Sequence, residues 1–205
     1  MNGVPHAAIV SAMRALAHAG ADMCRGQMLE SELVGRPDVS VARYVEMIRL
    51  KTGALFRAVC EIGAILAGAD AARAEVLARY GEHLGIAFQM RDDLLAYTRP
   101  AATAGKSRDS DLANHRPTLA ILLAYEASDE RGRARITHAL NARSPYLPMR
   151  DEVRAVVRST GALDESRERA RSHVQAARAC IASFDPSPSV NMLAAVARWA
   201  TEPGP

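Results

Sequence analysis

An all-α helical bundle is the fold this sequence predicts. Apolar residues recur near 3.6-residue spacing along almost the whole chain, and no stretch shows the strict alternation of a half-buried strand. Aromatics make up only 4% of the residues, while Ala, Leu and Val lead among the apolar ones. Small and unbranched side chains lose little freedom in a helix, which favours close-packed helices over sheets. With 205 residues, no internal repeat and no linker-like composition, the chain reads as a single domain, 1–205, long enough to bury a core.

The elements follow in order. Residues 6–33 read as a first helix that stops at Gly35-Arg36-Pro37. Ser40 is placed to N-cap a second helix, with Val41, Tyr44, Val45, Ile48, Leu55, Val59, Ile62 and Leu66 as its apolar stripe down to Gly68. A third helix spans about Ala71 to Tyr97. A loop rich in Gly, Ser and Asp follows over 98–114, a length that in compact domains is often functional. Pro117 suits the first turn of a helix running to Ala127. Shorter helices are expected at 129–142 and 149–159, then a break at Gly161. A long helix over 163–184, a Pro186–Pro188 turn and a last helix over 190–201 complete the chain.

The charge balance narrows the function. A net charge of +3 and a pI near 9.0 would suit nucleic acid, but Arg and acidic residues are interleaved rather than clustered. Interleaving of this kind describes solvated helix faces with i,i+4 pairs, so a nucleic-acid partner is not expected. No apolar run is long enough to span a bilayer, and the first residues lack the pattern of a secretory signal, so a cytoplasmic protein is expected. Cys24, Cys60 and Cys180 are odd in number, scattered and set in apolar stretches, which reads as buried free thiols in a reducing compartment. Of the 26 basic residues only Lys51 and Lys106 are lysines. In an Arg-rich chain a retained Lys points to a site that wants a compact point charge.

Asp92 and Asp93 are the only adjacent Asp pair, near the end of the third helix and ahead of the loop holding Lys106, Asp109 and Asp111. Paired carboxylates repel unless a cation or basic group lies between them, and such oxygen ligands suit Mg²⁺. A solvated helix end would also carry Asp-Asp, so the pair alone decides nothing. The neighbours add weight: Lys51 and Thr52 interrupt an apolar helix just before Gly53, where a Lys must snorkel or meet an anion. Gln27 and Glu30 lie one turn apart on the first helix and can face one cavity.

Four segments, in order and spacing, resemble the second half of the polyprenyl synthetase family, which makes geranylgeranyl, farnesyl and longer diphosphates. They are Gly26-Gln27-x-x-Glu30; Tyr44 through Lys51-Thr52-Gly53-Ala54-Leu55; Leu84-Gly85-Ile86-Ala87-Phe88-Gln89-Met90-Arg91-Asp92-Asp93; and Gly105-Lys106 with Asp111-Leu112 and Arg116-Pro117-Thr118-Leu119. The resemblance implies that Asp92 and Asp93 bind Mg²⁺, with Asp111 a further candidate ligand. It implies that the catalytic lysines Lys51 and Lys106, together with Arg116, contact an allylic diphosphate, and that Gln27, Thr52 and Gln89 line its pocket. The implied reaction is ionisation of the allylic diphosphate and attack on the cation by isopentenyl diphosphate, with a pyrophosphate held between the carboxylates at 92–93 and the lysines at 51 and 106.

Two departures stand out. The family's second aspartate-rich motif is Asp-Asp-x-x-Asp, and its last position here is Ala96, one turn from Asp92. The family's first aspartate-rich motif lies upstream of the Gly-Gln helix, and none of the 25 residues before Gly26 forms one. The resemblance therefore implies an isoprenoid synthase fold lacking its N-terminal helices, with a missing half or a homo- or heterodimeric synthase subunit as partner. A non-catalytic regulatory subunit is the alternative. The Lys-Thr helix and the Gly-Lys loop argue against a terpene cyclase.

Overall fold

The computed structural model describes residues 4–98, 114–142 and 147–200. Among these residues every regular element is helical: α1 (His6–Leu33), α2 (Val41–Ile48), a π-helical segment (Arg49–Gly53), α3 (Ala54–Leu66), α4 (Ala71–Thr98), α5 (Leu119–Ala127), α6 (Glu130–Asn141), α7 (Leu147–Ser159), α8 (Ala162–Ile181) and α9 (Pro188–Trp199). The expected bundle of helices is present, and no described helix is long and apolar enough to cross a membrane.

The chain divides into two compact units. One comprises Met1–Gln27, Met47–Gln89 and Ala170–Pro205; the other comprises Met28–Glu46 and Met90–Arg169. In the first, Tyr80, Leu84 and Ala87 of α4 pack on Val174, Ala177 and Ile181 of α8 and on Ala197 of α9, with Phe56 and Cys60 of α3 at the edge. The buried Tyr80 hydroxyl donates to the Leu193 carbonyl at 2.8 Å. Gly81 lets α3 and α4 touch, since a Cβ there would lie 2.8 Å from the Phe56 carbonyl carbon. In the second unit α5 is buried all round over Leu119–Ala124, as expected of a helix at the centre of a core. Ile136, Ala139 and Leu140 of α6 and Val153, Val156 and Val157 of α7 are buried in the same unit.

Local signals account for several helix ends. Ser40 Oγ accepts from Arg43 N–H at 3.3 Å, the expected cap of α2. Asp129 caps α6 through Gly132 N–H, and Ser187 caps α9 ahead of Pro188. Pro117 stands before α5 rather than in its first turn, because Thr118 occupies the cap position.

The second predicted helix differs from expectation in an informative way. It is not one α-helix over 41–66, because the Ala54 N–H bonds the Arg49 carbonyl and makes Arg49–Gly53 a π turn. A π turn takes up one extra residue, so the face presented to the core slips along the chain. The stripe predicted through Leu55, Val59 and Leu66 therefore points outward, Val59 being 62% exposed, while Ala54, Ala58 and Ala64 are buried instead. The thiols differ too. Cys24 is exposed, and Cys60 and Cys180 are half-buried, all three free; burial pushes the latter two above the ordinary thiol range.

His83 of α4 and His173 of α8 meet in the first unit, their Nδ1 atoms 3.0 Å apart. Burial, then the neighbouring His83, lowers His173 to about 4. Burial likewise lowers His83, with Arg79 adding to the effect and Glu82 opposing it. The unfolded chain therefore binds these protons near the ordinary His value while the folded chain refuses them. Stability contributed by the neutral pair is complete above pH 6.5 and is lost as pH falls toward 4. Urea denaturation across that window should show wild type losing more stability than His173→Gln; equal slopes would contradict the assignment.

Candidate functional site

In the first unit the π turn carries Lys51 and Thr52. Glycines hold it on two sides. A Cβ at Gly26 of α1 would lie 2.7 Å from Lys51 Cα and 2.9 Å from the Leu50 carbonyl carbon. A Cβ at Gly85 of α4 would lie 2.9 Å from Gly53 Cα. Real Cβ atoms do not approach backbone so closely, so only glycine lets α1 and α4 contact the turn at these points. Lys51 and Thr52 are left half-buried, neither in the core nor fully in solvent. Thr52 Oγ1 donates to Gln89 Oε1 of α4 at 2.8 Å, joining two residues expected to line one pocket. Gln27, exposed, follows Gly26 directly on α1. Single-turn π segments inside α-helices recur at functional sites.

The second unit holds the carboxylates. Asp92 is exposed and Asp93 half-buried, both within the last two turns of α4. Tyr44, 1% exposed, donates its hydroxyl to Asp93 Oδ2 at 2.7 Å. The sequence placed Tyr44 in an apolar stripe and at the start of the Lys-Thr segment, with no role for its hydroxyl; that hydroxyl was the available signal, since a buried Tyr needs a polar partner. Carboxylates near a helix C-terminus face the negative end of its dipole, which a bound cation would offset. Among the described residues no three His, Cys, Asp or Glu side chains converge. The two carboxylates thus fit a hard cation that draws its other oxygens from water or phosphate, as Mg²⁺ does.

Arg116 pairs with Glu30 at 3.7 Å, so the Glu of the Gly-Gln helix faces this Arg. The residue before it was missed by pattern reading. His115 adopts φ 59, its Nδ1–H donates to the Leu140 carbonyl at 2.8 Å, and its own carbonyl accepts from Gly35 N–H at 2.8 Å. Asn141 closes the knot by donating to the Gly35 carbonyl at 3.1 Å. His tolerates the left-handed region better than most side chains, but nothing in a single sequence announces such a turn. Lys106, Asp109 and Asp111, expected on a loop, lie outside the described residues.

With this geometry in place, the comparisons define the class. The chain's fold is that of all-helical prenyl diphosphate synthases: it aligns with a decaprenyl diphosphate synthase from Rhodobacter capsulatus at TM-score 0.87 and 30% identity, over 94% of this chain and 59% of that one. A polyprenyl synthase from Caulobacter crescentus CB15, complexed with calcium and isoprenyl diphosphate, aligns at TM-score 0.87 and 32% identity, over 93% of this chain and 58% of that one. Residues 4–158 match the polyprenyl synthetase family, and the chain belongs to it. It is 34% identical over 176 residues to a geranylfarnesyl diphosphate synthase from Aeropyrum pernix, covering 86% of this chain and 54% of the relative. It is 31% identical over 202 residues to a geranylgeranyl pyrophosphate synthase from Geoglobus acetivorans, covering 98% of this chain and 61% of the relative. The chain thus spans little more than half the length of these relatives.

Replacing Gly26 by Ala should displace the π turn. The expected cost is about 1–3 kcal/mol of stability, the usual range for overpacking, with shifted amide signals for Lys51 and Thr52. Urea melts and amide NMR check this; an unshifted, equally stable Gly26→Ala variant would contradict it.

Proposed function

We propose that this chain supplies the allylic-diphosphate half of a prenyl diphosphate synthase, a transferase that condenses isopentenyl diphosphate with an allylic diphosphate. The observation that carries this reading is the glycine-pinned π turn, which presents Lys51 and Thr52 and bonds Thr52 to Gln89. Lys51 contacts the diphosphate oxygens as a point charge, and Thr52, Gln89 and Gln27 orient the same group. Arg116 adds a cationic contact, set by Glu30 and the His115 knot. Lys106 serves as a further cationic contact from the segment that follows α4 in sequence. Asp92 and Asp93, with Asp111, would hold Mg²⁺, which would supply neutralisation of the charge on the departing pyrophosphate. The allylic C–O bond breaks with its electron pair leaving on pyrophosphate, the isopentenyl double bond attacks the cation, and a proton is then lost. Positioning and charge stabilisation carry most of the acceleration in such chemistry. The diphosphate reading is supported by the Caulobacter relative, which is complexed with calcium and isoprenyl diphosphate.

The reaction needs more than these residues. About two-fifths of each of two solved relatives lies outside the match, since this chain covers 58% and 59% of them. Along α1, Ile9, Met13 and Leu16 fall on one face and are 42%, 66% and 56% exposed. An apolar stripe of this kind favours further helices or a synthase subunit, in a homo- or heterodimer, as its cover. The same stripe favours, as a second reading, a non-catalytic subunit that regulates a full-length synthase. A cytoplasmic setting is part of the proposal and suits three free thiols.

Purified alone and supplied with isopentenyl diphosphate, geranyl diphosphate and Mg²⁺, the 205-residue chain should turn over at least about 100-fold more slowly than a full-length relative. Robust turnover by the isolated chain would overturn the incomplete-site reading. Co-purification with a full-length synthase, lost in Met13→Glu and Leu16→Glu, would favour the regulatory reading.

A further inference from the structure

We propose that His83 and His173 form a two-imidazole site for a divalent transition-metal cation, tying α4 to α8 within the first unit. The two Nδ1 atoms stand 3.0 Å apart, and both rings are half-buried, with centroids 5.3 Å apart and planes 46° from parallel. A cation roughly 2.0–2.1 Å from each of two imidazole nitrogens separates them by about 3.0 Å at a right-angle coordination and about 3.4 Å at a tetrahedral one. The observed spacing matches the first and lies a few tenths of an ångström from the second.

Without metal, one ring donates its Nδ1–H to the other ring's Nδ1, so only one of the two lone pairs is used. With metal, both rings carry their proton on Nε2 and turn both Nδ1 lone pairs to the cation. For two neutral rings this is a change of tautomer, with no proton gained or lost overall. Burial keeps both rings in the neutral form a metal requires. Glu82 favours positive charge beside His83 and Arg79 disfavours it, with Glu82 the larger of the two effects. Among the described residues no third His, Cys, Asp or Glu joins them, so water completes the coordination. Nitrogen ligands suit Zn²⁺, Ni²⁺ and Cu²⁺, whereas Mg²⁺ prefers oxygen. The site is therefore chemically distinct from the carboxylates of Asp92 and Asp93, and its failure would leave the proposed function untouched.

The test uses the full, untagged chain with Zn²⁺, Ni²⁺, Cu²⁺ and, as the control, Mg²⁺. The three transition metals should raise the thermal unfolding midpoint, because a cation held only by the folded state stabilises it, and Mg²⁺ should not raise it through these residues. His83→Gln and His173→Gln should each weaken Ni²⁺ affinity at least about tenfold, since each leaves a single ligand. Electron paramagnetic resonance of bound Cu²⁺ should count two ring nitrogens in wild type and one in each variant. Equal affinity in wild type and both variants, or no binding at millimolar metal, would overturn the site. Should either variant fail to fold, the wild-type nitrogen count decides: two supports the pair, and one contradicts it.

Discussion

The close approach of bare backbone at Gly26 and Gly85 to the π turn is the constraint from which the first unit's polar cluster follows. Side chains normally keep helices apart. Here α1 touches Leu50 and Lys51, and α4 touches Gly53, where no Cβ intervenes. The turn takes up one extra residue, and the chain enters α3 with a different face inward. Ala54 and Ala58 become the packing residues beside Ala19 of α1. Lys51 and Thr52 are half-buried at that turn. The bond from Thr52 to Gln89 then ties the turn to α4 through a side chain as well as through packing.

The second unit uses a different device. Its polar residues are held by long-range hydrogen bonds and an ion pair rather than by glycine contacts: Tyr44 bonds Asp93, His115 bonds both Gly35 and Leu140, and Arg116 pairs with Glu30. His115 accepts a left-handed backbone, and its ring and carbonyl are both engaged. Such conformations persist where the surroundings over-determine them. The residue so fixed stands directly before Arg116, which the proposed function uses. Tyr44 similarly orients one carboxylate of the pair, leaving Asp92 exposed. A cation that keeps several waters can use one well-oriented and one exposed carboxylate.

Much of this was legible in the chain. Helix spans, the Ser40 cap and the break at Gly161 follow from periodicity and capping rules that act over a few residues. The Gly-Gln, Lys-Thr and Asp-Asp segments were recognisable because their residue types interrupt apolar patterns. What escaped is tertiary. A π turn preserves composition and nearly preserves periodicity, so Leu55 and Val59 read as core although they face outward. The partners of Tyr44, Glu30, His83 and His115 lie many residues away or depend on an unusual φ, and no local pattern encodes them.

The central claim is that the turn at 49–53 binds an allylic diphosphate. Amide NMR of the labelled chain, titrated with geranyl diphosphate in the presence of Mg²⁺, tests it most directly. Saturable shifts are expected at Lys51, Thr52 and Gln89, and they should vanish in Lys51→Ala while that variant stays folded. Shifts confined to residues remote from the turn, or none at millimolar ligand, would contradict it.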